Sequence, residues 1–282
     1  MRLAALIALV SGLLLPSPLA AAAERASAAP WSAQASPKPG PARAIGSYSA
    51  GCMQGAASLP LAGDGFEVLH PGRNRYYGHP ALLEYVRRLA AGAEAKGLPA
   101  LLVGDLSQPR GGPTPTGHSS HQSGLDVDIA YTRPAQALWR PLDPSERERL
   151  DLVPVLDLQT GRFTADWHPR IADLLELAAT DPAVDRIFVS PLIKRQLCTQ
   201  ERRGATWLAR LRPWWGHHDH FHVRLPCPEG SPDCRGQEPV PPGDGCGQEL
   251  AWWFTQDARA AAEKRGQAVR PTMPASCAEV LK

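Results

Sequence analysis

The chain has 282 residues, with 30 Lys and Arg against 28 Asp and Glu, a net charge of +2, and 43% hydrophobic residues. Near neutrality over this length excludes the broad basic surface that nucleic-acid binding requires, so a polyanionic partner is not indicated. Beyond a leader, about 240 residues remain, enough for one domain with its own core and short of two full ones.

Arg2 precedes an apolar run from Leu3 to Leu15, then Pro16, Pro18 and a small-residue stretch from Leu19 to Ala23. Residues 1–23 read as a secretory signal peptide: the run is too short to span a bilayer comfortably, and the Ala-rich segment supplies an A-x-A-like cleavage site. Nothing later resembles a membrane span. Residues 24–44 are rich in Ala, Ser and Pro with little apolar periodicity, and the composition predicts an unstructured leader to a single domain over 45–282.

From Pro80 to Lys96 the apolar residues Leu82, Leu83, Val86, Leu89, Ala90 and Ala93 recur at helical spacing, with Pro80 suited to the first turn and Gly97 just past the end. The spacing predicts an amphipathic helix, followed by a short buried strand over Ala100 to Leu106 and a Gly/Pro loop over Pro109 to Gly117. Asp126 to Tyr131 alternates, so a strand there sets Asp126 and Asp128 on one face and Val127, Ile129 and Tyr131 on the other. A short helix starts at Asp143 and Pro144, a long one covers Pro169 to Thr180, a strand covers Arg186 to Ser190, and another helix carries Leu192 to Leu197. His220 to Leu225 repeats the alternation, with His220 and His222 opposite Phe221, Val223 and Leu225. The Pro/Gly/Cys-rich tail from about Pro226, broken by a helix around Glu249 to Lys264, reads as a disulfide-bound wrapping segment. The order of elements makes the fold class α+β.

Cys52, Cys198, Cys227, Cys234, Cys246 and Cys277 form an even set beyond the signal peptide, and three disulfides are the economical reading for an exported chain. No C-x-x-C pair exists to suggest a cysteine metal site. Six cysteines allow 15 connectivities; Cys227 and Cys234 flank a short Pro/Gly loop and form the natural local pair.

Six of the nine histidines fall in two segments: His118 and His121 in GHSSHQSGLDVDIAY, and His217, His218, His220 and His222 in WWGHHDHFHVRL. Imidazole and carboxylate are natural ligands of a divalent transition metal, and a catalytic zinc takes three protein ligands and keeps an open position. His121, Asp128 and His222 could supply them if the two alternating strands are neighbours. His220, two residues from His222 on the same face, is then the candidate general base. Asp126 either caps the turn or orients a ligand histidine. His70, His79 and His168, near prolines, read as ordinary polar residues, and His218 as solvent-facing. Trp214, Trp215 and Arg212 either line a groove or simply pack. No H-E-x-x-H, G-x-S-x-G or Walker-type loop is present.

The spacing His121 to Asp128 and the triplet His220-Phe221-His222 resemble the two motifs of the LAS metallopeptidases. Within that group the chain is most similar to the penicillin-insensitive murein endopeptidases, through IGSYSAGCMQGAASLP, RYYGHP, HSSHQSGLDVDI, DRIFVSPLIKRQLC, RPWWGHHDHFHVRLPCP and GDGCGQEL, over about residues 45 to 280. The resemblance implies a central antiparallel sheet flanked by helices and a zinc held by His121, Asp128 and His222. It implies His220 as catalytic base, with His217 and His118 as further active-site histidines that stabilise the transition state or approach a second metal. It implies the pairs Cys52 with Cys277, Cys198 with Cys246, and Cys227 with Cys234. One departure stands out: the stretch LDLQTGRFTADW, where family members can carry a second-metal Asp and His, contains no histidine.

The implied activity is hydrolysis of the peptidoglycan cross-link between D-alanine and a neighbouring meso-diaminopimelate, with links between two diaminopimelates as a further candidate. It would occur in the periplasm, without an acylated serine and so insensitive to penicillin. Two rivals are a non-catalytic peptidoglycan-binding module and a D,D-carboxypeptidase of the same group. The sequence leaves the oligomeric state open.

Overall fold

The structure, a computed structural model, describes residues 27–116, 119–199, 204–266 and 271–282. The expected signal peptide and His118 lie outside these residues. The strands are β1 (Arg43–Ser47), β2 (Ala50–Gln54), β3 (Ala57–Ser58), β4 (Ala62–Gly63), β5 (Phe66–Val68), β6 (Tyr77–Gly78), β7 (Leu101–Val103), β8 (Asp126–Ala130), β9 (Leu156–Asp157), β10 (Arg162–Phe163), β11 (Arg186–Val189), β12 (Leu211–Pro213) and β13 (His220–Arg224).

Alternation in β8 and β13 turns Val127, Ile129, Phe221 and Val223 to one face, where all four are completely buried. Two amphipathic helices complete that core. The Pro80–Ala95 helix buries Leu82, Leu83, Tyr85, Val86, Leu89, Ala90 and Ala93, and the Pro169–Thr180 helix buries Ile171, Leu174, Leu175 and Ala178, all within one hydrophobic cluster. Each fully buried aliphatic side chain there is worth about 1.5–3 kcal/mol relative to exposure. Proline stands at the start of both helices, and the preceding histidine caps each: the Nδ1 of His79 accepts from the Ala81 N–H at 3.2 Å and that of His168 from Arg170 N–H at 3.2 Å.

Seven strands form one sheet in the order β12-β11-β13-β8-β7-β5-β4. Its centre, β11-β13-β8-β7, is antiparallel, but β5 runs parallel to β7 and β11 parallel to β12. The sheet is therefore mixed, which corrects the expectation of an antiparallel one. Each parallel pair is joined through a helix, Pro80–Ala95 in one case and Pro191–Thr199 in the other. A helical crossover carries the chain back to the end of the sheet where the first strand began, so the next strand runs parallel to it, whereas antiparallel neighbours need no such crossover.

Disulfides join Cys52 to Cys277, Cys198 to Cys246 and Cys227 to Cys234. Part of the segment expected to be unstructured is packed: residues 27–32 are helical, and Trp31 is buried against Ile45, Val280 and the Cys52–Cys277 bridge. A Cβ on Gly112, whose φ is +76°, would come within 2.1 Å of the Trp31 ring, so this glycine makes room for the indole. One large aromatic with a prepared seat outweighs a composition otherwise suited to disorder. In place of the single helix expected around Glu249 to Lys264, the tail carries two, Gln248–Trp252 and Gln256–Gly266, and a third, Ser276–Leu281, follows. The Thr255 hydroxyl accepts from the Ala258 N–H at 3.3 Å and starts the second afresh.

Candidate metal centre and its cleft

The register of β8 against β13 sets His222 directly opposite Asp128, Arg224 opposite Asp126, and His220 opposite Ala130. His121 arrives from the preceding turn with φ +66°, a left-handed conformation that costs a non-glycine residue about 1–3 kcal/mol. Its backbone N–H donates to Asp126 Oδ2 at 3.0 Å, which holds the turn in place.

His121, Asp128 and His222, all buried, each offer a ligating atom, and these atoms lie within 4.8 Å of one another. His121 Nε2 is 3.3 Å from Asp128 Oδ2, and His222 Nδ1 is 3.0 Å from Asp128 Oδ1. Burial by itself would raise the Asp128 carboxyl, but His121 and His220 beside it hold it well below its usual range. Burial likewise lowers His121, yet the neighbouring Asp128 prevails and pushes it up to about 9. Two imidazoles and one carboxylate, converging and desolvated, suit a divalent transition metal with a coordination position left open.

Around this set a second layer fixes the ring orientations. Asp126 Oδ1 lies 3.1 Å from His222 Nε2, so the other nitrogen, Nδ1, is the one turned to Asp128. Asp126 thus both caps the turn and orients the His222 ring, the two roles between which its position had left a choice. Arg224 donates to both oxygens of Asp126, at 2.6 and 3.2 Å, and to Gln237 Oε1 at 2.6 Å. Burial opposes ionisation of Asp126, but Arg224 and His222 hold its carboxyl far below normal.

His220 sits one step along β13. Its Nδ1 is 2.6 Å from Asp219 Oδ1, and its Nε2 is 3.8 Å from Asp128 Oδ1. Burial lowers this imidazole, and the Asp128 and Asp219 carboxylates together raise it above its ordinary value. Sequence reasoning missed Asp219. His217, also left-handed at φ +51°, is buried with its ring centre 5.1 Å from that of His220 and 6.1 Å from that of His222. Its carbonyl accepts from the Tyr131 hydroxyl at 3.3 Å. His218, expected in solvent, is instead half-buried, with Nε2 3.9 Å from Asp219 Oδ2 and its carbonyl accepting from the Val155 N–H. The carboxylate beside it and the backbone pairing draw it inward.

The other histidines stay apart from this set: His79 and His168 cap helices, and His70 Nδ1 lies 2.9 Å from the Glu148 carbonyl. In LDLQTGRFTADW, Asp157 accepts from Gln159 and Thr160 and closes its own turn. A cleft lined by Tyr48, Phe188, Trp214, His217, His222 and Arg224 opens onto the cluster of His121, Asp128 and His222. A separate apolar hollow beside Leu102, Tyr131, Trp139 and Leu174 is lined by the helix-capping His168 and by none of His121, His217, His220 and His222. No helix among the described residues is long and apolar enough to cross a membrane.

An α+β chain with a desolvated donor set for a divalent ion, and a carboxylate-held histidine alongside, has the equipment of a metal-assisted hydrolase. Residues 44–282 match the model of the family described as penicillin-insensitive murein endopeptidase. The chain belongs to that family and is a peptide hydrolase. It is 41% identical to the penicillin-insensitive murein endopeptidase of Klebsiella pneumoniae (strain 342), covering 93% of this chain and 94% of that protein. It is 42% identical to the one of Yersinia enterocolitica, covering 90% of each, and 44% identical to the one of Haemophilus influenzae, covering 86% of this chain and 83% of that protein.

Proposed function

We propose that the chain is a zinc endopeptidase of the LAS type that hydrolyses the D-alanyl–meso-diaminopimelyl cross-links of peptidoglycan, and links between two diaminopimelates as a second substrate. The observation that carries the reading is the convergence of His121, Asp128 and His222 with His220 held beside them. Family membership and the shared name of the relatives support the substrate.

In this reading His121, Asp128 and His222 would hold the zinc, which would supply Lewis acidity toward water and the scissile carbonyl. Asp219 keeps the proton of His220 on Nδ1, leaving Nε2 to take a proton from the attacking water and return it to the departing amine. His217, buried beside His220, stabilises the charge that builds on the carbonyl oxygen. Asp126, clamped by Arg224, fixes His222. His118 is a further histidine of the metal site, as the resemblance implies. No serine is acylated, so penicillin does not inhibit.

Residues 1–23 act as the export signal and the periplasm is the working compartment. The three disulfides support an oxidising location.

Supplying cross-linked muropeptide dimers and free pentapeptide stems side by side tests the reading. The proposal expects dimers to become monomers, with penicillin present or absent, while the terminal D-alanine of the pentapeptides stays in place. Release of D-alanine with intact dimers would instead make the chain a carboxypeptidase.

A further inference from the structure

A chain of aromatic rings leaves the metal centre and reaches the surface. The Phe188 ring on β11 stands edge to face with His222 at 5.4 Å, and Trp214, just beyond β12, lies 5.8 Å from Phe188. Trp253 follows at 6.0 Å, with Trp252 and Trp215 at 5.4 and 5.5 Å from it. Of these rings Phe188, Trp214, Trp252 and Trp253 line a groove that shares Phe188, Trp214 and Gln237 with the cleft over the histidines.

Trp214, Trp215 and Trp252 are 38–39% exposed. Leaving several indoles in water forfeits burial that a Trp side chain usually finds in the core, and a contiguous exposed aromatic patch marks a binding surface. The wall is firmly built: the tail that carries Trp252 and Trp253 is tied down by the Cys198–Cys246 bridge and by the ion pair of Arg212 with Glu249. The rim consists of the planar polar groups of Arg186, Arg212, Gln237 and Glu249, with Arg212 and Glu249 paired to each other and Gln237 Oε1 accepting from Arg224.

We infer that this groove is a saccharide subsite, which takes the strand of N-acetylated hexosamines to which the cross-linked peptides are attached. The inference rests on the endopeptidase reading and adds a second moiety of the substrate to it. A pyranose has flat C–H faces that stack on indoles, and hydroxyl and acetamido edges that match forked polar side chains. The D-alanine and diaminopimelate at the cross-link carry methyl and charged groups and have no such face. The continuity of groove and cleft lets one substrate fill both.

The test titrates the zinc-loaded enzyme with peptide-free glycan strands, which contain no cleavable peptide bond, and follows tryptophan fluorescence. Saturable binding is expected, weakened roughly tenfold or more in Trp252→Ala and largely kept in Trp252→Phe, which retains a stacking face. On intact murein, Trp252→Ala should raise KM by a similar factor, with hydrolysis of sugar-free peptide dimers unchanged. Absence of saturable glycan binding, or equal losses on murein and on sugar-free dimers, would overturn the inference. The glycan titration stands whether or not the wild type cleaves dimers; failure of that cleavage would count against the endopeptidase reading alone.

Discussion

The Asp219 carboxylate lies 2.6 Å from Nδ1 of His220, while Nε2 of the same ring faces Asp128 from 3.8 Å. His220 in turn holds the Asp219 carboxyl below its ordinary value, although burial acts in the opposite direction. A carboxylate here selects the tautomer that leaves Nε2 able to accept a proton. An amide can donate to Nδ1 and so favour the wrong tautomer, the reason an Asp-to-Asn change behind a catalytic histidine is so costly in serine proteases. Asp219→Asn should lower kcat by about 10²–10⁴-fold with KM and zinc content unchanged, and Asp219→Glu should recover part of the rate. Metal analysis beside steady-state kinetics on peptide dimers checks this.

Asp126 serves three partners at once: the His222 ring, the His121 backbone and the Arg224 guanidinium. Asp126→Ala removes the group that aims His222 and the anchor of the His121 turn. Zinc affinity should fall by about 10–100-fold, as read by competition with a chromophoric chelator. Unchanged affinity would mean that the β-strand pairing alone positions the ligands.

Much of this site is legible in the residues before any coordinates. The alternations Asp126-Val127-Asp128-Ile129 and His220-Phe221-His222-Val223 separate a polar face from a core face, because strand geometry permits little else. That Asp128 meets His222 across two strands is a non-local pairing, which spacing within each segment cannot specify. Asp219 escaped notice because it precedes the first residue of β13, where alternation no longer governs side-chain direction. An aspartate directly beside a candidate catalytic histidine was the available signal. The parallel pairs of the sheet depend on where helical crossovers return, and Trp31 owes its burial to a seat made by distant residues. Neither is written in local periodicity. Cys227 and Cys234 are legible as a local pair across a short loop, whereas the other two pairings entered only through the family resemblance, since the count alone leaves them open.

Away from the site, Glu67 and Arg133 form a buried ion pair at 2.7 Å. Arg133 also donates to the carbonyls of Ala100, Ala137 and Arg140, and Glu67 accepts from the Leu142 N–H. Arg133→Ala strands the Glu67 carboxylate and three carbonyls and should cost about 3–5 kcal/mol in denaturant unfolding. A loss below about 1 kcal/mol would contradict this account of the 133–142 loop.

The Lys194 amine is fully buried, donating to the carbonyls of Leu208 and Asp244. Burial pushes it down to about 7; Arg212 acts in the same direction and Asp244 against it. Between pH 7 and the ordinary lysine value near 10.4, the unfolded chain therefore binds more protons at this position than the folded one. Stability relative to Lys194→Met should rise with pH across that window, by up to about 1 kcal/mol per unit, and be flat below it. Paired unfolding curves from pH 6 to 9 test the sign.

The central claim is that His121, Asp128 and His222 hold a zinc on which peptide-bond hydrolysis depends. It is tested most directly by digesting purified cross-linked dimers with the mature protein, its chelated form and the zinc-restored form, counting bound zinc in each. The account predicts dimer cleavage that disappears with the metal and returns at one zinc per chain, and a His220→Ala variant that binds zinc without turning over. Undiminished cleavage by the fully chelated protein would contradict it.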